Sequence, residues 1–140
     1  MIWLVAEDEA DIRMLVATMI QVWGHDTVVF ENGQKVWEWL DTVDSSTDGM
    51  KVPDLILMDI RMPGKKGNEL ARRMRTMAQM KEIPIVLMTA FALSQAERQE
   101  MMTAGGVDQI ISKPLPDFEQ LRQTLHDLID KKRAEANGSS

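Results

Sequence analysis

Five side chains in this 140-residue sequence stand where they could do chemistry together: Glu7, Asp8, Asp59, Thr89 and Lys113. Each lies at the end of a short apolar run or just past it. Glu7-Asp8 follows Ile2–Ala6, and Asp59 closes Leu55-Ile56-Leu57-Met58 ahead of Ile60-Arg61-Met62-Pro63-Gly64. Thr89-Ala90 follows Ile83–Met88, and Lys113-Pro114 follows Val107–Ile111 by one residue. Taken singly, these are a helix cap, two turn residues and a solvated amine. Taken together, three acids, a hydroxyl and an amine make a site for a hard cation and a phosphoryl group. Crowded carboxylates raise one another's pKa unless a cation neutralises them. Oxygen donors without nitrogen or sulfur suit Mg²⁺, which takes one or two carboxylates and leaves room for phosphate oxygens. Beside such a charge an Asp can act as a nucleophile toward phosphorus. Lys113 would then pair with a phosphoryl oxygen and Thr89 would donate a hydrogen bond to another.

What must bring these residues together is a parallel sheet. Short apolar runs bounded by turn residues read as strands buried on both faces, and Asp26-Thr27-Val28-Val29-Phe30 adds a fifth, rich in β-branched residues. Helical spacing fills the intervals. Ile12, Leu15, Val16, Met19, Ile20 and Trp23 form one stripe that Gly24 ends, and Val36, Trp37 and Leu40 follow Asn32-Gly33. Leu70, Met74 and Met77 mark the third helix. Ser94-Gln95-Ala96-Glu97 has capping-box spacing and starts a fourth that runs to Gly105-Gly106. Phe118, Leu121, Leu125, Leu128 and Ile129 mark the fifth, with Lys131-Lys132-Arg133 at its negative end. Asp41 to Lys51 reads as a polar surface loop and Ala134 to Ser140 as a flexible tail. The alternation predicts an α/β fold, a doubly wound five-stranded parallel sheet in one domain over residues 1–133. All strand exits then share one rim, the edge at which open α/β sheets bind ligands.

Composition narrows the function classes. Sixteen basic against 22 acidic residues give a formal charge of -6, which argues against nucleic acid or an anionic membrane as partner. No cysteine is present and only His25 and His126 are available, so thiolate sites and multi-histidine metal sites are excluded. No apolar run approaches the roughly 20 residues that span a bilayer, and no leader precedes the first strand, so the chain is expected to be cytoplasmic. The 12 Met residues fall mostly on inner helix faces or in strands, where they fill core gaps.

The four motifs, in this order and spacing, resemble the receiver domain of two-component response regulators over roughly residues 2 to 130. The resemblance implies a flavodoxin-like (βα)5 fold with strand order 2-1-3-4-5. It makes Asp59 the phosphorylated residue, and Glu7, Asp8, Asp59 and the backbone carbonyl of Arg61 the Mg²⁺ ligands. Thr89 becomes the switch hydroxyl, Lys113 the phosphate-pairing amine, and Lys113-Pro114 a candidate cis bond. A histidine kinase or histidine phosphotransfer protein would supply the phosphoryl group. The chain would not be an enzyme in its own right, beyond Mg²⁺-dependent self-phosphorylation and self-dephosphorylation. With no second domain after residue 133, output would come from docking a protein partner through the fourth helix, fifth strand and fifth helix. A stand-alone regulator and the receiver of a hybrid histidine kinase fit alike.

Two positions depart from the family pattern. Glu7 stands where many members carry Asp, and its longer side chain still reaches an ion. Ile110 stands where a Tyr or Phe usually swings inward as the Thr moves, and an aliphatic side chain has no ring to bury. Phe91, two residues past Thr89, is a substitute ring, and backbone shifts through the fourth helix and fifth strand are another route. A haloacid-dehalogenase phosphatase would need an acid two residues after the nucleophile, and that residue is Arg61. A nucleotide-binding module would need a Gly-x-Gly-x-x-Gly or P-loop motif, and Gly64-Lys65-Lys66-Gly67 lacks the required order. The remaining alternative is a degenerate receiver that binds partners without phosphorylation.

Overall fold

The computed structural model describes residues 1–46 and 51–138. Strands and helices alternate throughout: β1 (Ile2–Ala6), α1 (Ala10–Val22), β2 (Asp26–Phe30), α2 (Gly33–Asp44), β3 (Leu55–Asp59), α3 (Gly67–Arg75), β4 (Ile85–Thr89), α4 (Gln95–Met102), β5 (Gln109–Ser112) and α5 (Phe118–Gly138). The five strands form one parallel sheet in the order β2-β1-β3-β4-β5, the expected doubly wound topology.

Because side chains alternate along a strand, the apolar runs feed two cores at once. Leu4, Ile56, Met58, Ile85, Leu87 and Ile110 pack with Val36 and Leu40 of α2 and Leu70 and Met74 of α3. Trp3, Val5, Leu57, Val86 and Ile111 pack on the other face with Val16 and Ile20 of α1 and Leu121, Leu125 and Ile129 of α5. Each fully buried Leu or Ile of this kind contributes about 1.5–3 kcal/mol. Truncating Leu125 to Ala would cost about 2–5 kcal/mol once its cavity is included.

Several boundaries differ from the sequence-based expectation. Helix α2 runs on through Asp44, where Ser45 caps it, so Asp41 to Asp44 belong to the helix. Val43, wholly buried, continues the apolar stripe of Val36 and Leu40 and explains the extension. The rest of that loop, at residues 47–50, lies outside the described residues. Ala134 to Gly138 continue α5 as helix, since Ala-Glu-Ala contains nothing that breaks one, and residues 139–140 lie outside the described range. Met77 lies past the end of α3 yet is buried in the turn that follows. Of the residues expected on inner helix faces, Leu15 is 55% exposed and Phe118 38%, and together they line a groove with Leu115 at the end of the sheet. Val16, Met19 and Ile20 already fill the inner arc of α1, which leaves Leu15 at its margin.

Candidate functional site

The hydrogen-bond ladder continues past the strand ends and fixes the rim. Glu7 donates its N–H to the Phe30 carbonyl at 3.1 Å, Ile60 to Met88 at 2.9 Å and Lys113 to Thr89 at 2.8 Å. The first residues beyond β1, β3 and β5 are therefore held in register with their neighbours. Lys113-Pro114 is a cis peptide, as the resemblance implied. Arg13, one turn into α1, donates to the Glu7 carbonyl at 2.7 Å and the Asp8 carbonyl at 3.3 Å, and so braces the acidic turn from below.

Glu7, Asp8 and Asp59 come together: carboxylate oxygens of the three lie within 4.8 Å of one another. Their environments differ. Glu7 is wholly buried, Asp59 is 7% exposed and Asp8 faces solvent. The Lys113 ammonium, its side chain only 10% exposed, donates a hydrogen bond to Glu7 Oε1 and lies 3.4 Å from Asp59 Oδ2. Burial pushes the Glu7 carboxyl up to about 7, with the negative charge of Asp59 adding to the effect and the Lys113 hydrogen bond opposing it. Burial works against the charge on Lys113, but the Glu7 and Asp59 carboxylates outweigh it and hold its pKa above the ordinary value.

The donor set fits a hard divalent cation. Three carboxylates against one ammonium leave negative charge at the rim, and every anionic donor is oxygen. The Arg61 carbonyl lies two residues beyond Asp59 on the loop that leaves β3.

Thr89 ends β4 one residue past Met88, the sheet partner of Asp59, lies opposite Ser112 of β5, and is 2% exposed. Its hydroxyl accepts a hydrogen bond from the Phe91 N–H at 3.0 Å and lies 3.4 Å from the Phe91 carbonyl. Phe91 is half exposed and carries the Arg61 guanidinium over its ring, 3.9 Å from the centroid. Ile110 is on β5 opposite Leu87, 7% exposed and packed into the core that faces α2 and α3.

Sequence reasoning missed two contributors. Arg13 carries no motif, because its contacts are to backbone carbonyls. Gly67 opens α3 directly against the chain leaving β3: its N–H bonds the Ile60 carbonyl at 2.9 Å, and a Cβ there would lie 2.4 Å from the Asp59 carbonyl oxygen. A glycine between a strand exit and a helix start was the available signal.

Known proteins match this arrangement. The family model for the response regulator receiver domain matches residues 3–126. The phosphate regulon transcriptional regulatory protein PhoB of Pseudomonas aeruginosa is 34% identical over 116 residues, which cover 83% of this chain and 46% of that protein. The chain thus spans about half the length of that relative. The polar-differentiation response regulator DivK of Brucella anthropi is 32% identical over 127 residues, covering 89% of this chain and 95% of the relative. Among solved structures, the chemotaxis protein CheY4 of Vibrio cholerae aligns at a TM-score of 0.76 and 25% identity, over 91% of this chain and 97% of that one. The receiver domain of a Pseudomonas aeruginosa sensor histidine kinase, with a magnesium ion coordinated in its own active-site cleft, aligns at 0.74 and 23%, over 92% and 97%. With the sheet order, the rim and the family model in agreement, this chain belongs to the response regulator receiver domains of two-component signalling.

Proposed function

We propose that this domain takes a phosphoryl group onto Asp59 from a phosphohistidine of a histidine kinase or phosphotransfer protein, and signals by docking a protein partner. The observation that carries this reading is the cluster of Glu7, Asp8 and Asp59 with Lys113 at ion-pair distance from two of them. In the transfer, a carboxylate oxygen of Asp59 attacks phosphorus. The new P–O bond forms as the P–N bond to the donor imidazole breaks, and the departing ring nitrogen takes up a proton. Hydrolysis later returns the carboxylate when water attacks the same phosphorus and the acyl-phosphate P–O bond breaks.

The chain's own groups divide this work. Glu7, Asp8, Asp59 and the Arg61 carbonyl would hold Mg²⁺, which when bound supplies positive charge to the phosphoryl oxygens. Lys113 neutralises a further oxygen, and its two present carboxylate partners keep it charged and aimed into the rim. Thr89 offers a hydroxyl proton whose acceptor, among the described residues, is the long contact to the Phe91 carbonyl. The receiver unit takes in all ten elements through the end of α5 and works in the cytoplasm. Among the described residues no helix is long and apolar enough to cross a membrane.

Output is assigned to the face of α4, β5 and α5. Supporting this, no residue within α4 is buried, and the helix is tied to α3 by the exposed Arg72–Glu100 pair at 2.9 Å. An exposed pair of this kind contributes only about 0–1 kcal/mol, so α4 can shift at small cost.

The test is incubation with acetyl phosphate and Mg²⁺ followed by intact mass. A gain of one phosphoryl group that is absent in Asp59→Asn is expected. No gain under any condition would leave a binding module that acts without phosphorylation.

A further inference from the structure

The family's usual aromatic reporter is missing at Ile110, yet the site has an aromatic ring tied to it from two sides. Phe91 is held at its backbone by the Thr89 hydroxyl, which accepts from its N–H at 3.0 Å. It is held at its ring by the Arg61 guanidinium, stacked at 3.9 Å from the centroid. These restraints come from different strand exits, Arg61 from the loop after β3 and Phe91 from the loop after β4, so the stack crosses the rim beside Asp59. We infer that Arg61 and Phe91 form a clasp that a phosphoryl group on Asp59 releases, making Phe91 the aromatic reporter of the phosphorylated state. The inference rests on Asp59 being the acceptor.

Competition is the reason for release. A phosphoryl group brings about two negative charges and three strong acceptor oxygens to a position two residues before Arg61. The Thr89 hydroxyl now spends its proton on a contact of 3.4 Å and its lone pair on a neutral amide. A hydrogen bond to a charged oxygen is roughly twice as strong as a neutral one. Turning to make it draws Oγ1 away from the Phe91 N–H. The guanidinium faces the same choice, between a ring quadrupole and a dianion that it can meet with paired N–H donors. Both holds on Phe91 thus weaken in the same event.

The consequence reaches α4. Ser94 and Glu97 form the capping box at its start, each side chain bonded to the other's backbone N–H, at 3.0 and 3.1 Å. The Glu97 carboxyl is held below its ordinary value mainly by those Ser94 bonds and in smaller part by the charge of Arg61. Only Ala92 and Leu93 separate Phe91 from this cap. Ile110, packed in the core opposite Leu87, has no comparable tie to Thr89 or Asp59 among the described residues.

The experiment uses the whole chain with 4-fluorophenylalanine at its three Phe positions, 30, 91 and 118, the Phe91 line being assigned from Phe91→Leu. Fluorine spectra and intact mass are taken on the same sample before and after acetyl phosphate and Mg²⁺. We expect the Phe91 line to shift as the phosphoryl group is gained, and the shift to be smaller in Thr89→Ala at equal phosphoryl gain, since that variant keeps only the release by Arg61. In Arg61→Ala, which keeps the backbone carbonyl, the resting line should already lie toward the phosphorylated position. A Phe91 line that stays in place in a phosphorylated sample overturns the clasp and leaves the acceptor assignment standing. A line that shifts alike with and without the Thr89 hydroxyl overturns the clasp in the same way. Absence of any phosphoryl gain overturns both.

Discussion

Gly67 approaches the carbonyl of Asp59 so closely that a Cβ on it would lie 2.4 Å from that oxygen and 3.2 Å from the Ile60 Cα. The obstacle is backbone on both counts, so no rotamer change relieves it. Gly67→Ala must therefore displace either the start of α3 or the strand exit that carries Asp59. We expect a loss of about 1–3 kcal/mol in urea unfolding, in the range of overpacking a filled site. Phosphoryl gain from acetyl phosphate should slow by more than tenfold. Wild-type stability and rate in this variant would show that the approach is looser than described.

Arg75 fastens the far side of the sheet. It donates to the carbonyls of Gly106, Met80, Lys81 and Ile83 and pairs with Asp108 at 2.9 Å. Asp108 in turn accepts from the Ile85 N–H and pairs with Lys132 of α5 at 3.1 Å. One guanidinium thus ties the entries of β4 and β5 to the end of α3. Removing it strands several partly buried acceptors together with a carboxylate. Arg75→Met should cost about 3 kcal/mol or more by chemical denaturation. A cost under about 1 kcal/mol would mean that water replaces these bonds freely.

The residues easiest to read from sequence were those whose chemistry and strand-end position coincide. Glu7, Asp8, Asp59, Thr89 and Lys113 each follow an apolar run, and a parallel sheet has no choice but to gather its strand exits on one edge. The strand order came from the family resemblance, since periodicity alone does not rank strands. Helix ends were less legible, because the last turn of a helix answers to packing more than to propensity. The polar Asp41 and Thr42 gave no sign that Val43 would carry α2 inward for one more turn. Contacts to backbone stayed hidden as well. Arg13 and Arg75 look like any solvated cation in a sequence, and the Arg61–Phe91 stack joins residues 30 positions apart in separate loops.

Glu7 makes stability depend on pH in a defined direction. Its carboxyl rises from an ordinary 4.5 to about 7 in the folded domain, through burial first and Asp59 next. A raised pKa means that the folded state binds the proton more tightly than the unfolded chain. The contribution is fully present below about 4.5 and is lost as pH rises through 7. At about 1.36 kcal/mol per pH unit, the loss reaches at most roughly 3 kcal/mol. In Glu7→Gln, without added metal, stability measured by urea unfolding should fall less between pH 5 and 8 than in the wild type. Parallel curves for the two proteins would place the buried proton elsewhere. In the wild type, added Mg²⁺ should stabilise more at pH 8 than at pH 5, because cation and proton compete for the same carboxylate.

Lys113 separates binding of the cation from use of the phosphoryl group. Its ammonium hydrogen-bonds Glu7 and lies 3.4 Å from Asp59, so it now neutralises the carboxylates a cation would hold. Truncation to Ala removes a competing positive charge while leaving every oxygen donor in place. Mg²⁺ affinity, read by Trp fluorescence or calorimetry, should be unchanged or higher. On the role proposed for Lys113, the variant would lose the amine that pairs with a phosphoryl oxygen and with it the stabilisation of developing charge. Phosphoryl gain should slow by roughly 10²-fold, comparable to removing one charge-stabilising donor from a catalytic site. The spectral response to any phosphoryl group that does form should shrink as well. Weakened Mg²⁺ binding in Lys113→Ala would be the decisive contrary result. It would mean that the lysine holds the carboxylates in position, and that their arrangement around Asp59 depends on the ion pair more than on the strand exits.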